Sequence, residues 1–203
     1  ALAIESNGTL DATGTTSAIN VAGNYTNNGT FTAGSSTVTL NGTAAQTLAG
    51  TMTTTSAFNA FTIENSFGSV SGCATSFTPG VIFSASATFT TYTIATTALA
   101  SGVYVQYNST STYIVTNISW VGVAARKIYF RNSTLGSGTW LLTYSPGTAS
   151  VSYVDVARSD ASAGTAIPAS DGTNTDCGSP PNVNWNFTAT ITVGGPGRAP
   201  HAG

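Results

Sequence analysis

The chain has 203 residues and a formal net charge of −2; only 6% of its residues are charged, whereas Ser and Thr make up about 30%, well away from the usual quarter charged. An apolar fraction of 41%, arranged periodically, excludes a disordered chain. The five basic residues form no stripe beyond Arg126, Lys127 and Arg131, so nucleic acid and anionic membrane are poor partners, and no apolar run approaches the ~18 residues of a membrane span.

No basic-then-apolar leader opens the sequence. Ala1-Leu2-Ala3 reads equally as an end left by processing and as a first strand, with Leu2 and Ile4 as the inward pair of a first partial rung. Then one phrase returns three times: Ser17-Ala-Ile-Asn-Val-Ala-Gly, Ser36-Thr-Val-Thr-Leu-Asn-Gly and Asn59-Ala-Phe-Thr-Ile-Glu-Asn. Their apolar pairs are Ile19 and Val21, Val38 and Leu40, Phe61 and Ile63, at intervals of 19 and 23 residues. A second phrase, Asn7-Gly-Thr-Leu-Asp-Ala, returns 21 residues later as Asn28-Gly-Thr-Phe-Thr-Ala. Alternation with period 2, closed by Gly or Asn, is a short strand and its turn. Two interleaved phrases with one period predict a unit stacked on itself. No rung of about 20 residues can bury its apolar face alone, but stacked equivalents share a core. About nine rungs are expected, in a column of about 40 Å.

Thr47 to Ser56 is a hydroxyl-rich return, and from Phe67 to Thr97 the pattern loosens around Gly80-Val-Ile-Phe and Thr91-Tyr-Thr-Ile. Val103-Tyr-Val-Gln-Tyr, Tyr113-Ile-Val-Thr, Trp120-Val-Gly-Val, Lys127-Ile-Tyr-Phe, Trp140-Leu-Leu-Thr-Tyr and Val151-Ser-Tyr-Val-Asp-Val follow at strand spacing, in larger and more aromatic rungs. A polar loop from Ala161 to Val183 leads to Asn184-Trp-Asn-Phe187. The run AGNYTNNGTFTAGSSTVTLNGTAAQTLAG, with ARKIYFRNST, VSYVDVARSDASAG and NVNWNF, resembles the repeat-rich parallel β-helix proteins that bacteria secrete, of the filamentous-adhesin type. The resemblance covers most of residues 1 to 187. It implies surface display, adhesion or assembly and supplies no catalytic residues; such proteins usually run for many more repeats. After it, Thr188 to Val193 alternates once more, with Ile191 and Val193 as its apolar pair, ahead of a Gly/Pro-rich tail to Gly203. A strand with open edges invites pairing with another chain, so Leu2, Ile4, Ile191 and Val193 are the candidate self-assembly residues.

Few residues suggest chemistry. Asp155, expected to point outward between Val154 and Val156, and Asp160 are the candidate pair for acid–base work on a glycoside. The sole histidine, His201, lies in the tail, and no catalytic cluster accompanies the acids. Asp171-Gly-Thr-Asn-Thr-Asp176 offers alternate oxygens as calcium loops do, without the full ligand spacing, and reads better as a polar turn. Eight Asn-x-Ser/Thr sequons, at Asn7, Asn24, Asn28, Asn41, Asn108, Asn117, Asn132 and Asn186, are candidate glycosylation sites, although a repeat of Asn-Gly corners yields such sequences for free. Trp120, Tyr129, Trp140, Tyr144, Tyr153 and Trp185 are either a sugar-stacking face or the filling of widened rungs. Cys73 and Cys177 suit a disulfide in a secreted chain, but they sit about five rungs, ~24 Å, apart in the column, while a disulfide needs Cα atoms within ~7 Å. Long loops reaching across the column, a bond between copies, or two free thiols all remain open.

The expectation is an all-β, single-domain, right-handed parallel β-helix over 1–187, with terminal strands open to pairing and a tail, 188–203, set to contact a neighbour. It has no cofactor and no metal. The expected function is a non-enzymatic extracellular filament subunit or adhesin stalk with itself as partner and surface glycans as a second. The alternative is a carbohydrate-binding or polysaccharide-cleaving β-helix.

Overall fold

The computed structural model describes residues 1–14, 16–73, 76–135, 137–178 and 180–187; Ile191, Val193 and the whole 188–203 segment lie outside these residues. The described chain is almost entirely β, with one 3-10 turn at Thr54–Ser56. The first sheet has eight strands, Leu2–Ile4, Tyr25–Asn27, Gln46–Gly50, Val81–Phe83, Val103–Tyr107, Ile128–Asn132, Val154–Val156 and Thr175–Asp176, each parallel to the next. The second runs Ala18–Val21, Thr37–Leu40, Phe58–Ile63, Ala87–Ala95, Thr112–Val121, Trp140–Tyr144 and Ser159–Asp160, also parallel, with Ala149–Ser152 on the second half of Thr112–Val121. Two further parallel pairs, Thr9–Asp11 with Thr30–Thr32 and Ile167–Ala169 with Trp185–Phe187, stand at opposite ends. The chain thus visits one sheet and then the other, and each visit adds a course beside the last.

The sequence repeats set this register. Ile19 pairs with Val38 and Val38 with Phe61; Val21 pairs with Leu40 and Leu40 with Ile63. Leu10 likewise pairs with Phe31. A one-residue slip would turn every apolar side chain outward, and Val38, Leu40, Phe61 and Ile63 are all essentially buried. The residues between them form an outward ladder of Asn20, Thr39, Thr62, Thr93, Ser119 and Ser150.

Eight strands in the first sheet replace the nine rungs expected, because later courses are longer and one is interrupted. Leu48 pairs with Phe83, and the residues between them carry an antiparallel hairpin of Ser69–Ser71 and Ser76–Thr78. Inward side chains of the two sheets meet in one core. Its middle is aromatic: Phe61 lies 5.8 Å from Phe83, Tyr107 stacks on Trp140 at 4.2 Å and Trp120 meets Phe130 edge-on at 4.9 Å. Burial raises the phenol pKa values of Tyr92 and Tyr107 and pushes Tyr113 up to about 12. Trp120, Trp140, Tyr144 and Trp185 belong to this core, so they fill courses and form no sugar-stacking face.

The corners are held by buried amides. Gln46 Nε2 donates to the carbonyls of Val21 (2.7 Å) and Gly23 (2.6 Å), and its Oε1 accepts from Gly42 N–H and from Asn65 Nδ2. The Val21 carbonyl accepts from Asn41 N–H as well, at 3.1 Å, so the amide joins an existing backbone contact at the corner. At the repeated Asn-Gly-Thr corner, Thr30 N–H donates to the Gly8 carbonyl at 2.9 Å. A Cβ on Gly29 would sit 2.2 Å from that oxygen and 2.4 Å from the Glu5 carbonyl. Gly29→Val is therefore expected to destabilise by about 3 kcal/mol, against less than about 0.5 for Gly14→Val, whose Cβ meets nothing within 4 Å. Equal thermal midpoints for the two variants would show that the corners are not packed in this way.

Candidate functional site

Two places depart from a simple stack. The first is the outer face of the first sheet, where Tyr104, Tyr129, Asp155 and Thr175 follow one another in register. Ile128 and Phe130 point into the core, so Tyr129 points out, where its ring stacks on Tyr104 at 5.0 Å. Burial raises the Tyr129 pKa, with the Tyr104 and Asp155 charges adding and Arg131 opposing. Arg131, two residues on, is on this outward face too, yet it is 1% exposed, because the hairpin lies over it. Phe77 of the hairpin sits 5.9 Å from its guanidinium and 6.4 Å from the Tyr104 ring.

Arg131 Nη1 donates to the carbonyls of Phe130 (3.0 Å) and Asp155 (2.9 Å), and Nη2 to Asp155 Oδ1 at 2.8 Å. A buried guanidinium needs such a partner, and Nη2 also reaches Cys177 Sγ at 3.7 Å. Buried Nε has no partner. The hairpin ends in the Cys73–Cys177 disulfide, with Cα atoms 5.1 Å apart. The hairpin is inserted just before Val81–Phe83 and Cys177 follows Thr175–Asp176. Between those two strands lie four ladder steps of about 4.8 Å, and the hairpin spans them. This resolves the distance that the stacking period imposes.

Val154 and Val156 are buried and Asp155 faces outward, but its carboxylate is committed to Arg131. Asp160 is on the second sheet, where its Oδ1 accepts from Ser162 N–H at 2.9 Å. The structure therefore does not join Asp155 and Asp160 into an acid–base pair on one strand face. Asp171 Oδ1 accepts from Thr173 N–H (2.9 Å), Thr173 Oγ1 (2.7 Å) and Asn174 Nδ2 (2.8 Å), the bonding of a polar turn. Among the described residues no three His, Cys, Asp or Glu side chains gather as a metal site.

Of the sequon asparagines, Asn7, Asn24, Asn28, Asn41 and Asn186 are exposed, whereas Asn108 and Asn117 are half-buried. Asn117 Nδ2 donates to Thr90 O and its Oδ1 accepts from Thr148. Asn132 is a correction: it is 1% exposed, and its Nδ2, the atom a glycan would occupy, donates to the carbonyls of Thr134, Ser137 and Gly138. In the folded chain it serves as a corner amide.

The second place is the first course. Leu2, Leu10 and Ile19 are only half-buried, while their register partners Tyr25, Phe31 and Val38 are buried. A cleft of about 320 Å³ opens beside Leu2, Ile4, Gly8 and Leu10. Leu2 N–H donates to the Asn24 carbonyl and the Ile4 carbonyl accepts from Asn28 N–H, both at 2.8 Å. By the alternation of a parallel ladder the N–H and C=O of Ala3 then face the open edge. At the other end Cys177 N–H turns back to the Val156 carbonyl at 2.8 Å, Val183 is 46% exposed, and Trp185–Phe187 closes its pair.

The hairpin, the buried Arg131 and the corner amides escape sequence reading. One available signal was Gly72 between two short alternating stretches, since Gly72 takes φ +66° at the hairpin turn. Compared with known proteins, the chain has no significant match to a family model, a curated protein or a solved structure.

Proposed function

We propose that the chain is a right-handed parallel β-helix serving as an extracellular structural subunit that associates end to end with copies of itself, as a surface filament or adhesive stalk. One observation carries this reading: among the described residues no strand pairs with the outer edges of Leu2–Ile4, Thr9–Asp11 and Ala18–Val21, where Leu2, Leu10 and Ile19 are half-buried. Among the described residues Thr175–Asp176 and Trp185–Phe187 likewise have no partner on their outer edges. Seating one end on the other would extend the first-sheet ladder in parallel, from Thr175–Asp176 onto Leu2–Ile4, and such a contact does not close on itself. The occupant proposed for the first edge is a second copy. A disulfide and a nearly charge-free surface suit an oxidising, extracellular setting.

The experiment is sedimentation and negative-stain electron microscopy of the 203-residue chain in dilute buffer. Concentration-dependent rods or fibres are expected. Ala3→Pro removes a donor from the open edge and places a ring where the next copy would sit, so it should leave the melting temperature within a few degrees and abolish the rods. Monomers at all concentrations, or rods that persist in Ala3→Pro, overturn the reading.

A further inference from the structure

The Cys73–Cys177 bond has two unlike sulfurs. Cys73, at the hairpin tip, is exposed, whereas Cys177 is 7% exposed and lies against Arg131. We infer that this bond is a thiol-exchange site, in which an external small-molecule thiolate attacks Cys73 Sγ and Cys177 departs as a thiolate held by Arg131. The attacking sulfur forms a bond to Cys73 Sγ, the Cys73–Cys177 bond breaks, and its electron pair stays on Cys177 Sγ. The incoming sulfur is oxidised from thiolate to disulfide as Cys177 is reduced from disulfide to thiolate, so the exchange balances with no reagent but the thiol.

Three observations converge on this assignment. Access selects the sulfur that is attacked, and only Cys73 offers an open approach. Arg131 Nη2 already reaches Cys177 Sγ at 3.7 Å, and a neighbouring guanidinium favours thiolate over thiol, which makes Cys177 the better leaving group. Arg131 also has donor capacity in reserve, because its buried Nε has no acceptor. After exchange the hairpin carries the incoming thiol as a mixed disulfide on Cys73 and is no longer tied to the last course, so the face around Phe77, Tyr104 and Tyr129 can open. The chemistry fits a monothiol of low molecular weight, which reaches an exposed hairpin tip without a docking surface.

The test uses the folded chain with glutathione near neutral pH, quenched with iodoacetamide and mapped by peptide mass spectrometry. Glutathione is expected on Cys73 and carbamidomethyl on Cys177. Glutathione chiefly on Cys177, an even split, or no adduct short of unfolding would overturn the inference. For rates, Arg131→Gln should slow exchange about tenfold, while Arg131→Lys, which keeps a cation beside the sulfur, should stay close to the parent. Equal slowing by both would reduce Arg131 to a packing role. The adduct map on the parent chain decides the direction of attack even if the Gln variant does not fold.

Discussion

Phe61→Ala is expected to cost about 3–5 kcal/mol of stability, lowering the thermal midpoint by about 10 °C or more for a domain of this size. Phe61 is fully buried, and its ring centroid lies 4.9 Å from Phe58, 5.1 Å from Phe89, 5.5 Å from Tyr92 and 5.8 Å from Phe83. Its strand runs between Thr37–Leu40 and Ala87–Ala95, so the neighbours are pinned by ladders on both sides and cannot collapse into the void. Calorimetric or denaturant unfolding reads the loss. Phe67, 41% exposed, is the internal comparison: its alanine variant should stay within about 0.5 kcal/mol. If the two variants melt together, the aromatic column is not what joins the sheets.

The second large effect comes from the double variant Cys73→Ser with Cys177→Ser. The bond closes a loop over a sequence separation of 104, for which chain-entropy arguments give about 4–5 kcal/mol. The expected result is a fall in thermal midpoint of about 10 °C with the far-ultraviolet β signal retained, because the ladders do not pass through the hairpin. Hydrogen exchange should localise the change to the hairpin and to the course after Val156. Loss of the whole β signal at room temperature would mean instead that the hairpin is needed to assemble the stack.

How far the sequence carries can be seen residue by residue. Ile19, Val38 and Phe61 stand at intervals that read directly as register, as do Leu10 and Phe31, because a half-buried strand has to keep its period. Tyr129 was legible for the same reason: Ile128 and Phe130 claim the interior. The hairpin was not, since its two strands are three residues each and lie outside the period that identifies the others. What it covers was then hidden too. Arg131 occupies an outward position, and only a segment from a course far earlier in the chain makes it buried and gives it Cys177 as a neighbour. Asn132 illustrates the limit of motif reading, since its Asn-Ser-Thr spells a glycan acceptor while its amide is spent on three carbonyls.

The outward ladder of Asn20, Thr39, Thr62, Thr93, Ser119 and Ser150 also bears on the composition. In a parallel in-register stack every surface position lies about 4.8 Å above its own counterpart, so an ionised side chain inherited by successive repeats would face copies of itself in a column. Like charges directly opposite are destabilising, and the penalty would multiply with every repeat gained by duplication. Neutral hydroxyl and amide side chains escape it, each able to donate to one neighbour and accept from the next. A chain that grew by copying a strand in place would therefore shed charge as it lengthened, which accounts for a water-facing surface built on 6% charged residues.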